Sequence, residues 1–147
     1  MKITVEEGSG YLRGLLLLIR KDCKITEQKA QLMKRIGKVL GFEEKFCDSA
    51  INEVLENKYI LDEPPEFSTK ALAEKFIKDG LTLATSGKEI HALEEKWLRS
   101  SAENNGLDVE WFLREKKIAN NTRKNIDVHL EVDDLDVEYS PYAFVGL

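Results

Sequence analysis

Leu15-Leu16-Leu17-Leu18-Ile19-Arg20-Lys21-Asp22-Cys23-Lys24-Ile25-Thr26 is the stretch on which the fold turns. Five consecutive apolar residues, with Leu12 a turn earlier, make residues 11–21 apolar on nearly every side. A helix of that kind belongs at the centre of a core. A short polar turn follows, and Thr26 is placed to cap a second helix, with Glu27 in the first turn where the helix dipole favours an acid. Ala30, Leu32, Met33, Ile36, Val39 and Leu40 then recur at helical spacing. Gly41 ends that run, because glycine takes the left-handed C-terminal cap without strain. Residues 43–57 form a third amphipathic segment, with Phe46, Cys47, Ala50, Ile51, Val54 and Leu55 on one face.

The same plan returns 65 positions later. Leu16 falls on Leu81, Leu18 on Leu83, Ile25 on Ile90, Gly41 on Gly106, Phe42 on Leu107, Glu43 on Asp108 and Phe46 on Trp111. Between the copies Pro64-Pro65 breaks any helix and restricts Glu63. Ser68 is placed to cap a helix bearing Leu72, Phe76, Ile77, Leu81 and Leu83. After the turn at residues 85–88, residues 91–104 read as a helix with Leu93, Trp97, Leu98 and Ala102 inward. Asp108 caps a last helix carrying Val109, Trp111, Phe112, Leu113 and Ile118. The expectation is an all-α domain over residues 1–125, with about six helices in two duplicated three-helix units, each burying one face against the other.

Beyond Asn120-Asn121 the period changes to two. Ile126, Val128, Leu130 and Val132 alternate with Asp127, His129, Glu131 and Asp133, which is a strand pattern. The phase shifts at Asp133-Asp134 and resumes with Leu135, Val137 and Tyr139, so residues 126–147 read as a short extended or hairpin tail. The tail is also where the acidity lies. The whole chain carries −5, but residues 126–147 hold six acids and no Lys or Arg, which leaves the first 125 residues at +1. An isolated hairpin is marginal in water, so the apolar face must pack on something. The expected partner is another protein or a second copy, met through Ile126, Val128, Leu130, Val132, Tyr139, Tyr142 and Phe144 by strand addition.

Composition removes several classes. A chain of 147 residues with 33% charged and 42% hydrophobic content has the size and balance of one globular domain. No apolar run approaches the length of a membrane span. The N-terminal Met1-Lys2-Ile3-Thr4-Val5-Glu6-Glu7 lacks the basic and then apolar regions of a secretory signal. Two cysteines are too few for a disulfide framework. Neither part of the chain has the basic excess of a nucleic-acid binder. There is no Gly-rich phosphate loop, nucleophile elbow or Cys-pair metal motif, so the expectation is a protein that is not an enzyme. The candidate chemistry is confined to His91 and Glu94, which share a helix face at i, i+3 and suit a divalent metal if further ligands join them.

Residues 19–27 with the helix ending at Leu40-Gly41-Phe42, and Ala84-Thr85-Ser86-Gly87-Lys88-Glu89-Ile90-His91-Ala92-Leu93-Glu94 with Gly106-Leu107 downstream, resemble the repeated element of the tellurite-resistance TerB family. The resemblance covers about residues 9–120. It implies an all-helical duplicated core in a cytoplasmic bacterial protein of stress-related or unassigned role, acting by binding a partner or a divalent metal and not by catalysis. Carried over residue by residue, Asp22 matches the turn aspartate of the first copy, Glu94 the helical glutamate of the second and His91 its cap. Asp79, Glu89 and Glu95 are the nearby acids that such a metal site would recruit. The chain departs from the pattern in three places. Cys23 stands where the first turn has Gly, Lys29 is the first-copy equivalent of Glu94, and the second turn has no Asp.

Overall fold

The computed structural model describes residues 1–21, 25–57, 62–86, 89–122 and 127–138. A three-residue strand, β1 (Lys2–Thr4), leads directly into α1 (Val5–Arg20). Then come α2 (Glu27–Val39), α3 (Glu44–Glu56), α4 (Lys70–Ala84), α5 (Ala92–Asn104) and α6 (Val109–Asn121). A 3-10 turn at Glu131–Asp134 and strand β2 (Asp136–Glu138) complete the described chain. The all-α expectation and the count of six helices hold among these residues.

The local signals act where the spacing puts them. Thr26 Oγ1 accepts from Lys29 N, and Asp108 accepts from Glu110 N. Gly41 and Gly106 both take positive φ, 92° and 75°, where a side chain would be strained. One cap is displaced. Thr69, not Ser68, caps α4 by accepting from Leu72 N, while Ser68 Oγ donates to Glu7 across the start of α1. That bond holds the Glu7 carboxyl below its usual range.

The duplication is visible in the helices themselves. At the 65-residue shift α2 overlies α5 and α3 overlies α6 from first residue to last, and α4 begins where α1 does. The repeat also extends beyond the third helix. Residues 62–67 return over α1 and α5, where Phe67 N donates to Asn105 Oδ1 and Asn105 Nδ2 donates to Pro65 O. Residues 127–132, at the same shift, return over α4 and α2. Beneath the first return segment lies Gly14. A Cβ there would stand 2.8 Å from the Pro65 ring and 2.7 Å from the Phe76 ring, so only glycine admits that approach. Its counterpart beneath the second return segment is Asp79.

The core forms around α1, whose Tyr11, Leu12 and Leu15 to Ile19 are all buried. Several residues assigned inward by periodicity face out instead. Phe46, Leu55, Leu93 and Ile118 are exposed, and so is Leu113. Each lies beside the stripe that the neighbours bury. In α3 that stripe is Cys47, Ile51 and Val54; in α5 it runs through Glu94, Trp97, Leu98, Ser101 and Ala102.

The tail is part of this core. Leu130, Val132 and Leu135 are buried, and burial alternates from Val128 to Val132 as the period-two pattern implies. Among the described residues no ladder forms along 128–132, however, and no hairpin. The chain turns in the 3-10 segment, and β2 pairs in parallel with β1, Lys2 opposite Asp136, Ile3 opposite Val137 and Thr4 opposite Glu138. The tail thus adds a strand to its own N-terminus.

Candidate functional site

Of the residues nominated for a metal, Asp22 lies outside the described residues. His91 and Glu94 do meet, but as a helix start. His91 Nδ1 accepts from Leu93 N at 3.1 Å, and Glu94 Oε1 accepts from His91 N at 3.4 Å, a capping box that satisfies two donors at the first turn of α5. The other Glu94 oxygen accepts from Lys29 Nζ at 3.1 Å. Both side chains of this pair are fully buried. Lys29 and Glu94 are the residues that the 65-residue shift superimposes, so equivalent positions of the two units face one another at their junction. At that distance each buried charge offsets part of the other's desolvation. The remaining acids disperse. Glu95 pairs with Lys116 at 2.7 Å, Glu89 is exposed, and Asp79 is buried elsewhere.

Asp79 is the feature that sequence reading placed wrongly, as a spare ligand. It sits on the inward stripe of α4, three residues after Phe76 and four before Leu83, and that spacing was the available signal. Its Oδ2 accepts from Tyr11 Oη at 2.6 Å and from Val132 N at 3.0 Å, and its Oδ1 from Glu131 N at 2.7 Å. Burial outweighs these donors and pushes the carboxyl up to about 6. The Tyr11 phenol, buried against it, is raised well above its usual value. In the first unit Phe67, the equivalent of Val132, instead donates its N–H to Asn105 Oδ1, and glycine stands at the position of Asp79.

The nominated tail residues divide. Ile126, Tyr139, Tyr142 and Phe144 lie outside the described residues. Val128 is half-buried, and Leu130 and Val132 are engaged in the chain's own core. The tail acids answer cations of the body. Asp133 pairs with Arg35 at 2.6 Å, and Lys75 stands 3.4 Å from Glu131 and 3.6 Å from Asp134. Arg35 also donates to Val128 O at 2.7 Å. His129, Glu131 and Asp134 bring one ligand atom each within 4.8 Å of one another. The ammonium of Lys75 already bridges the two carboxylates of that group.

Besides a cleft of about 690 Å³ lined by Arg35, Lys34, Lys38 and Phe42, two smaller ones lie along the return segments. One, of about 230 Å³, lies between α4, α6 and the second return segment, beside Asp79, His129 and Glu131. The other, of about 370 Å³, runs between α5 and the first return segment. Its apolar floor is Trp97 and Pro64, and Leu93, Lys96, Ser100 and Asn104 line its length. Trp97 donates its indole N–H to Asp62 O at 2.9 Å. Asp62 is gripped by Arg20 and Lys21, whose hydrogen bonds offset the desolvation that would raise its carboxyl and leave it below its usual range.

No protein-family model, curated protein or solved structure matches this chain at a significant level. Site and fold therefore speak for themselves. Among the described residues no helix is long and apolar enough to cross a membrane. The buried ionisable groups Lys29, Glu94, Asp79 and Tyr11 face one another or the backbone. The exposed apolar side chains, Ile118 at 58%, Phe46 at 53% and Leu93 at 51% among them, are left to the surface.

Proposed function

We propose that this chain is a non-enzymatic helical binding module of TerB-like type, a cytoplasmic adaptor in a bacterial stress-related system. One observation carries the reading. The polar residues with chemical potential, His91, Glu94 and Asp79, are engaged in caps, a buried pair and a backbone anchor, while the α5 cleft presents an apolar floor with a polar border. Glu94 and Asp79 are buried side chains committed to structural bonds. A cleft of that make-up suits recognition of another molecule. The test is recovery of partners on the immobilised full chain beside its Leu93→Asp variant. A partner retained by the native chain and lost by the variant supports the reading, and identical recoveries refute it.

A second reading, divalent-cation binding through surface carboxylates, draws on the convergence of His129, Glu131 and Asp134. A cation there must displace the Lys75 ammonium, so only weak binding is expected. Calorimetric titration of chelator-treated protein with Mn²⁺ and Zn²⁺, repeated on His129→Ala, decides it. Heat that the variant loses supports the site, and silence from both proteins removes it.

A further inference from the structure

The two units treat one position differently, and on α5 that position lines the cleft. On α2, Arg35 reaches from the helix to the return segment, donating to Val128 O and pairing with Asp133. The residue at the same place on α5 is Ser100, whose side chain ends at a single hydroxyl. Trp97, at the position of Leu32, holds the return segment through its indole bond to Asp62 O. Arg35 reaches the return segment on one side, whereas Ser100 lines the cleft on the other.

Resting on the binding-module reading, we propose that this cleft receives a peptide segment of a protein partner, one that sets an aliphatic or aromatic side chain beside a carboxylate. The floor supplies the apolar half of that chemistry. Leu93, 51% exposed, is the apolar side chain there with surface to lose, while Trp97, 7% exposed, is already buried beside the cleft. The border supplies the rest. Two of the lining side chains, Lys21 and Lys96, are cationic and one, Asp62, is anionic. Asp62 is held by Lys21 and Arg20, whereas Lys96 makes no ion pair among the described residues. An exposed ammonium beside an apolar slot selects an acid next to an apolar anchor.

The experiment is selection of a random heptapeptide display library on the full chain. A synthetic peptide of the enriched type is then titrated against native protein, Leu93→Asp, Lys96→Glu and Leu113→Asp. Leu93, Lys96 and Leu113 are all exposed, and matching far-UV circular dichroism checks that the variants fold. The expected enrichment is Leu, Ile, Phe or Trp adjacent to Asp or Glu. Affinity should fall about tenfold or more in Leu93→Asp and Lys96→Glu, and stay unchanged in Leu113→Asp on α6. Peptides that bind all four proteins equally overturn the cleft and leave the binding-module reading standing. A library that yields nothing overturns both. Enrichment of sequences like residues 139–147, with a doubled mass in solution, names a second copy as the occupant and overturns the partner assignment.

Discussion

Replacing Lys29 by Met tests whether the junction of the two units depends on its buried pair. Lys29 and Glu94 are both fully buried and 3.1 Å apart. Met keeps the length of the lysine stem and its helix propensity, so packing changes little and the lost charge dominates. Glu94 then keeps its capping bond to His91 N but loses its cation. Breaking a buried pair from one side costs about 3–5 kcal/mol, because the survivor is left uncompensated. For a chain of this size that is a fall in melting temperature on the order of 10 °C. The double variant, Lys29→Met with Glu94→Met, removes both charges together. It loses the capping bond as well, about 1 kcal/mol, but escapes the uncompensated charge. Urea unfolding of the two single variants and the double variant closes the cycle. The expected result is a double variant less destabilised than Lys29→Met alone. A Lys29→Met loss below about 1 kcal/mol, or a double variant whose loss equals the sum of the singles, would refute the account of the pair as mutual compensation.

Two further perturbations follow from the return segments. Gly14→Ala puts a Cβ 2.7 Å from the Phe76 ring and 2.8 Å from the Pro65 ring, and should cost about 1–3 kcal/mol by overpacking. Gly10→Ala, whose nearest neighbour would be 4.0 Å away, should gain about 0.5–1 kcal/mol from helix propensity; thermal melts that rank the two the other way would remove Pro65 as the constraint. Asp79, raised from 3.8 to about 6, favours the fold when protonated, so its contribution is complete below about 3.8 and is lost as pH rises through about 6. Between pH 7.5 and pH 5 this group alone should add about 1 kcal/mol of stability, an increment that Asp79→Asn abolishes; an unchanged pH slope in that variant would place the titration elsewhere.

The helices were legible because their signals are local. A period of 3.6 at residues 27–40 and 91–104, Thr26 and Asp108 as caps, and glycine at 41 and 106 each act within one or two turns of chain. Single positions at the edges of apolar stripes were less legible. Leu93 and Glu94 are neighbours on α5, and hydrophobicity ranks Leu93 as the inward one. The structure buries Glu94, because Lys29 meets it there, and leaves Leu93 at the cleft. The tail shows the same limit. Alternation along Val128, Leu130 and Val132 foretold which side is buried but not against what, since an apolar face carries no address.

The sequence alone determined six helices, their order and the repeat at 65 residues, because helix periodicity, caps and left-handed glycines are satisfied by neighbours in the chain. Only the tertiary structure decided that repeat-equivalent Lys29 and Glu94 meet. It also decided that Asp79 anchors the backbone of residues 131 and 132, that β2 runs beside β1, and that Arg35 ties α2 to the return segment. Those outcomes rest on contacts between residues 52 to 134 positions apart. Such contacts form only once the two units pack, and no local pattern encodes which distant group will complete a buried charge or an unpaired N–H.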